Sequence, residues 1–308
     1  MKSYLSRWVV LVAIALLTVL SIIACQGGSG TQPKANVIRI GSKDFTEQFI
    51  LGEMYASLLE DRGLPVSRKL NLGDTPVAQA ALLQGDIDLY PEYTGAALLT
   101  VLKQPTHKDP KQVYKIVSRA YKAQYNLIWL NSAPMNSAQV LVMKTATARA
   151  FGIQNIDDFV RQANQLRIVG PPEFTVHPDG LPGLKKVYGA FQPKAFMATE
   201  PGLQYKALES GQAEVAVGFG TDGEIDALNL MVIKDNRGLF PTCQVAPVVR
   251  QPVLETYTEL KKTLNSLAPY LTDSAMRRLN YHVSAQQQEP RQVAQTFLRQ
   301  AGLLRSST

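Results

Sequence analysis

Catalysis needs titratable or nucleophilic side chains that converge, and this chain has few candidates. Its three histidines, His107, His177 and His282, are scattered with no metal-ligand or nucleophile spacing among them. No HExxH, CxxC, GxSxG or phosphate-binding glycine loop occurs. Asp86 and Asp88 stand two apart, which on a strand puts both carboxylates on one face. Such a pair more often marks a solvated strand end than an acid–base couple. Cys243 as a nucleophile needs a histidine beside it in space; as a buried or cleft-lining thiol it needs no partner. The expectation is therefore no catalytic set and no metal site, which turns attention to binding.

The compartment follows from the first residues. Lys2 and Arg7 precede an uncharged apolar run from Trp8 to Ala24, which ends on Ile22-Ile23-Ala24-Cys25. This reads as a signal peptide over residues 1–24 with a lipobox, cut before Cys25, whose thiol then carries the lipid. The competing reading is an uncleaved membrane helix, because the run approaches the roughly 20 residues that span a bilayer. Placement of Cys25 before a polar stretch favours the lipoprotein. Residues 25–35 include QGGSGTQPKA, small and polar with almost nothing apolar to bury, and read as a flexible tether. The chain is then exported and lipid-anchored, on the outer face of the cytoplasmic membrane or in the periplasm. Its net charge of +7 falls to +5 once Lys2 and Arg7 leave, and the basic residues are dispersed. That distribution excludes a nucleic-acid stripe. With Cys25 lipidated only Cys243 remains, so no internal disulfide can form and folding rests on the cores.

The mature part, about 270 residues, is large for one layered core and suits two lobes with a cleft between them. Val37 to Ile40 reads as a strand, Thr46 to Leu59 as a helix with Asp44 and Glu47 as its N-cap signature, and Val66 to Leu72 as a second strand. Thr75-Pro76 starts another helix. This βαβ rhythm gives an α/β fold with a mostly parallel sheet, and ligands there sit at the carboxyl ends of the strands. The loops Gly41–Asp44 and Tyr90–Gly95 are the first places to look. An internal echo supports two lobes: Ala81–Leu89 and Ala207–Val215 share a helix end, a glycine cap, an acidic residue and a buried strand. Tyr93-Thr94-Gly95 follows one strand and Phe219-Gly220-Thr221-Asp222-Gly223 the other. Strands at Leu127–Leu130 and Val140–Met143 flank a turn-rich crossing, Asn131–Ser137, with a return crossing expected at Ala246-Pro247-Val248-Val249. Helices around Val253–Asn265 and Arg291–Leu303 pack back on the first lobe. Trp129, near the crossing, is a candidate reporter of lobe closure.

The segments Gly41-Ser42-Lys43-Asp44-Phe45-Thr46-Glu47-Gln48 and Gln84 to Gly95 resemble the substrate-binding proteins of glycine betaine, choline and carnitine ABC importers. The likeness continues through Pro172-Glu173-Phe174, Asp179 to Gly189, and Thr221-Asp222-Gly223 to Ala246-Pro247-Val248-Val249, so it covers nearly all of the mature chain. It implies a type II periplasmic-binding-protein fold: two lobes joined by two hinge strands, closing over a ligand in a central cleft. By this resemblance lobe 1 takes residues 36–137 and 250–308 and lobe 2 takes 138–249. The partners implied are a small solute, the ABC permease and its ATPase subunits, with no cofactor.

In the resembling proteins a trimethylammonium group sits in a cage of aromatic rings, since π faces hold a delocalised cation that cannot donate strong hydrogen bonds. Carried over by motif, Tyr93 with Thr94 of the EYTG segment and Lys43 of the GSK segment are ligand-binding residues. Other positions depart from the pattern. Phe219 keeps a ring without the hydroxyl, Cys243 and Ala138 or Gln139 stand where tyrosines are expected, and His177 replaces an arginine that clamps the ligand carboxylate. The reading is a binding protein for a quaternary-ammonium osmoprotectant. The alternatives are another polar or zwitterionic solute in a depleted cage, or a sensory or structural lipoprotein, or an enzyme, on the same scaffold.

Overall fold

The computed structural model describes residues 37–305 apart from positions 106, 108, 178 and 201. The signal segment, Cys25 and the tether lie outside the described residues. Two five-stranded sheets organise the rest. The first holds β1 (Ile38–Gly41), β2 (Val66–Lys69), β3 (Leu89–Tyr93), β4 (Leu127–Trp129) and β10 (Val245–Arg250), in the order β2-β1-β3-β10-β4. The second holds β5 (Gln139–Lys144), β6 (Arg167–Gly170), β7 (Ala195–Ala198), β8 (Val215–Phe219) and β9 (Leu230–Ile233), in the order β7-β6-β8-β5-β9.

The two sheets repeat one plan. In each, four strands run the same way and the one in the fourth position runs against its neighbours: β10 pairs antiparallel with β3 and β4, and β5 with β8 and β9. Those two are the strands reached by crossing from the other sheet, so each arrives from the opposite direction. The expected mostly parallel sheet holds within each βαβ unit, and the exception marks the crossing. The echo noted in the sequence falls at equivalent places, since β3 and β8 each occupy the centre of their sheet. Each is preceded by a glycine in the left-handed region, Gly85 at φ 79° and Gly211 at φ 71°. Side chains there would strain the backbone, which is why both helices stop on glycine.

The return crossing lies earlier than the sequence suggests. Ala246 to Val249 is hydrogen-bonded inside the first sheet, opposite Glu92 to Leu89. The connection is therefore residues 234–244, and a second-lobe boundary at 249 cuts through a first-sheet strand. The two connecting segments lie side by side, with Ala133 N–H donating to Val245 O at 2.8 Å, Ser137 N–H to Cys243 O at 3.0 Å and Cys243 N–H to Asn136 Oδ1 at 2.7 Å.

Both faces of the first sheet are covered. One core gathers Ile38, Ile40, Leu89 and Val249 with the Thr46–Asp61 helix and the C-terminal helices through Leu264, Met276 and Leu298. On the other face Val113, Val117 and Tyr121 of the Pro110–Tyr125 helix, spaced every four residues, meet Leu82, Tyr90 and Val248. That helix starts with the Asp109 side chain accepting from Lys111 N–H and ends on Asn126 in the left-handed region. Trp129, 5% exposed, belongs to this core edge-on to Tyr121, so it stands in packed interior and not at the cleft. Two further cores sandwich the second sheet.

Candidate functional site

The carboxyl ends of β3 and β8 face a cavity of about 600 Å³. From the first sheet's side it is lined by Tyr93, by Phe45 and Glu47 at the start of the Thr46–Asp61 helix, and by Asn280. From the second side come Gln204, Tyr205, Phe219 and the Thr221–Glu224 turn. Cys243 and Ser137 line it where the two connecting segments meet.

Four aromatic rings border the cavity. Phe45 stacks on Tyr93 at 6.1 Å between centroids, while Phe219, 51% exposed, stands at the opening. An exposed phenyl ring at a cleft mouth is held ready for a contact it lacks in the chain itself. The hydroxyl of Tyr93 donates to Glu47 Oε1 at 2.6 Å, and burial pushes its pKa well above the ordinary value, so it stays a neutral donor. Tyr205 likewise donates to Asp222 Oδ2 and is raised by burial.

Three carboxylates share the lining: Glu47, Asp222 and Glu224. Glu47 accepts from Tyr93 and, through Oε2, from Asn280 Nδ2 at 2.8 Å; the same Asn280 amide donates to Thr221 O at 2.8 Å. A chain of hydrogen bonds thus joins the ring of one side to the turn of the other. Burial pushes the Asp222 carboxyl up to about 6, against the hydrogen bonds from Tyr205 and the Phe219 N–H and with Glu224 and Glu47 adding to the rise. Glu224 has no hydrogen-bond or ion-pair partner for its carboxylate among the described residues. No Lys or Arg is among the described residues that line the cavity.

The residues named from sequence fall into two groups. Tyr93, Phe219 and Cys243 come together on the cavity wall. Burial pushes the Cys243 thiol up to about 12, which favours the neutral thiol at neutral pH. Lys43, Thr94, Ala138, Gln139 and His177 are not among the lining residues. Lys43 is buried, its ammonium bonded to Glu92 Oε1 at 2.6 Å and Thr75 Oγ1 at 2.8 Å and set 4.8 Å from the Tyr93 ring centroid. Glu92 is fully buried, and Lys43 supplies the cation that pairs with it. Thr94 is spent on the second connection, donating to Thr242 O and accepting from Gln244 N–H. Ala138 is buried and accepts from Gly220 N–H, and Gln139 lies opposite Phe219 in the β5–β8 register. His177 stands on the surface, 63% exposed and paired with Asp179. Its position in a solvated loop after Pro172–Thr175 accounts for the difference.

Sequence reasoning missed Phe45, Glu47, Gln204, Tyr205, Asp222, Glu224 and Asn280 as cavity residues. Phe45 and Glu47 lie within the GSKDFTEQ segment, where the spacing from Asp44 reads Glu47 as part of an N-cap signature. Here the N-cap is Phe45, with no side-chain cap bond. Asp222 and Glu224 sat in or beside the TDG turn. Asn280 carries no local signal, because its helix, Asp273–Ser284, meets the turn only through the tertiary fold.

Residues 36–300 match the model of the substrate binding domain of the ABC-type glycine betaine transport system. The chain belongs to this family. It is a substrate-binding component of ABC-type transport, in a family of extracytoplasmic binding proteins that deliver small solutes to a permease. It is 34% identical to the glycine-betaine-binding protein of Pseudomonas aeruginosa, over 88% of this chain and 90% of that one. It is 32% identical to the ergothioneine transport permease/ergothioneine binding protein EgtU of Helicobacter pylori, over 86% of this chain but 47% of that longer protein. The chain therefore spans about half of that relative. Among solved structures, a glycine betaine/carnitine/choline ABC transporter protein superposes with a TM-score of 0.82 at 28% identity, covering 87% of this chain and all of the other. Apo YehZ of Escherichia coli superposes at 0.77 with the same identity and coverage. The fold is that of type II periplasmic solute-binding proteins, two lobes about a central cleft. No helix among the described residues is long and apolar enough to cross a membrane.

Proposed function

We propose that this chain captures a small quaternary-ammonium solute between its lobes, delivers it to an ABC permease, and performs no catalytic step of its own. The observation that carries the reading is the pairing of four rings, Phe45, Tyr93, Tyr205 and Phe219, with carboxylates in one cavity. A quaternary ammonium is attracted to ring faces and donates no strong hydrogen bond, so such a lining suits it, with each ring contact worth about 0.5–2 kcal/mol. Relatives named for glycine betaine, carnitine and ergothioneine support the class, since all three solutes carry a trimethylammonium group. Closure brings the second lobe's Tyr205 and Phe219 towards Tyr93 and Phe45, which excludes water from the cation and presents one closed surface to the permease. The proposal extends to the N-terminal segment: residues 1–24 are removed on export and Cys25 carries the lipid that holds the protein at the membrane.

Thermal melting of the full chain, purified in a non-ionic detergent, tests the solute class with millimolar glycine betaine, choline, carnitine, proline betaine and ergothioneine. A solute present at 100 times its Kd adds about 2.7 kcal/mol to stability, a readily measured rise in Tm. A flat response to all five sinks the reading.

A further inference from the structure

We infer that, within this quaternary-ammonium class, the cavity selects a net cation that bears a hydroxyl or N–H donor and no carboxylate. The inference rests on the function proposed above and concerns what lies beyond the ammonium group.

A zwitterionic betaine brings a carboxylate that needs a cation or several donors. The lining holds three carboxylates, Glu47, Asp222 and Glu224, and neither Lys nor Arg among the described residues. Two basic groups that touch residues at or beside the lining, Lys43 and Arg277, are already engaged. Lys43 is bonded to Glu92 and Thr75, and Arg277 donates to Gly220 O at 2.8 Å and to Asp226 Oδ1 at 3.0 Å. The start of the Thr46–Asp61 helix also opens on the cavity, but the partial positive charge there is matched by the carboxylate of Glu47 in its own first turn. A solute carboxylate would therefore leave water to face like charges, an arrangement that discriminates by repulsion.

The same wall carries acceptors that have no partner among the described residues. Asn280 Oδ1 and Gln204 Oε1 are buried atoms with no hydrogen-bond partner, on side chains that line the cavity and are only 8% and 7% exposed. Glu224 adds an unpartnered carboxylate on the second lobe. Buried acceptors left unmatched are costly, so the solute that completes this wall is one that donates. The geometry assigns the rings to the ammonium group and the unpartnered acceptors of the lining, Glu224 foremost, to a donor on the solute.

Choline and glycine betaine share the trimethylammonium group and differ in a hydroxymethyl against a carboxylate, which isolates the question. Isothermal titration of the full chain in non-ionic detergent should show choline binding at least tenfold more tightly than glycine betaine, about 1.4 kcal/mol. Carnitine, with both a hydroxyl and a carboxylate, should fall on the betaine side. Glu224→Gln, checked for an unchanged melting temperature without solute, should reduce the choline-to-betaine ratio at least threefold. Equal affinities, or tighter glycine betaine, overturn this inference and leave the proposed function standing. No binding of any of the three at millimolar concentration overturns this inference, and the proposed function falls with it only where proline betaine and ergothioneine also fail to bind.

Discussion

Asp222 shows how one carboxyl can be coupled to both stability and binding. Burial raises it to about 6, while its hydrogen bonds from Tyr205 and Phe219 oppose the rise and Glu224 and Glu47 add to it. The folded protein thus holds a proton near pH 5 that the unfolded chain, with an ordinary aspartate, has released. Stability from the protonated form is fully present below about pH 4 and is lost as pH rises through about 6, on the order of 3 kcal/mol. Binding of a cation runs the other way and strengthens over that rise, as the carboxylate ionises. Asp222→Asn should flatten both trends, read by chemical denaturation and by titration at pH 4.5 and pH 7. Glu60 and Glu214, held low by hydrogen bonds from Arg68 and Arg167, contribute a slope of opposite sign at lower pH in both proteins. An unchanged pH dependence in the variant would remove Asp222 from the account.

At the scale of elements, the decisive contact is between the Asp273–Ser284 helix and the turn at Thr221–Gly223. Asn280 reaches Thr221 O and Glu47, and Arg277 reaches Gly220 O, so this helix of the first lobe is tied to the loop that follows β8. Gly223 permits the approach: a Cβ there would stand 2.6 Å from the Tyr281 backbone nitrogen and 2.7 Å from its Cα. Backbone cannot swing aside as a side-chain end can. Gly223→Ala should therefore displace the turn, lowering stability by about 1–3 kcal/mol and weakening the solute about tenfold or more, since Asp222 and Glu224 flank the substituted position. Melting temperature and titration calorimetry check the two effects. Wild-type values for both would show that the lobes do not depend on this approach.

At the largest scale the described residues form two sheets of one topological plan facing a shared cavity, with the antiparallel strand of each sheet marking where the chain enters from the other. Mass spectrometry of protein extracted from membranes should find a chain that begins at Cys25 with a diacylglycerol on its sulfur, and Cys25→Ala should move the protein from the membrane to the soluble fraction. Recovery of an intact N-terminus at Met1 would argue for the spanning helix instead.

What the sequence determined by itself was mostly periodic or local: the βαβ rhythm, the glycine-capped helices before β3 and β8, the two-lobe echo, and family membership through motifs that lie in those turns. These are legible because left-handed caps and strand periods are short-range requirements of the backbone. It also led to Tyr93, Phe219 and Cys243, which lie at the ends of strands or beside them. Only the tertiary structure decided what surrounds them. Lys43 is turned towards buried Glu92, His177 stays in solvent, Thr94 ties a strand to a connection, and Asn280 reaches the cavity from 233 residues beyond Glu47. Such assignments rest on which buried charge or unmatched polar atom lies within reach in space. No residue carries that information in its own neighbourhood of the chain.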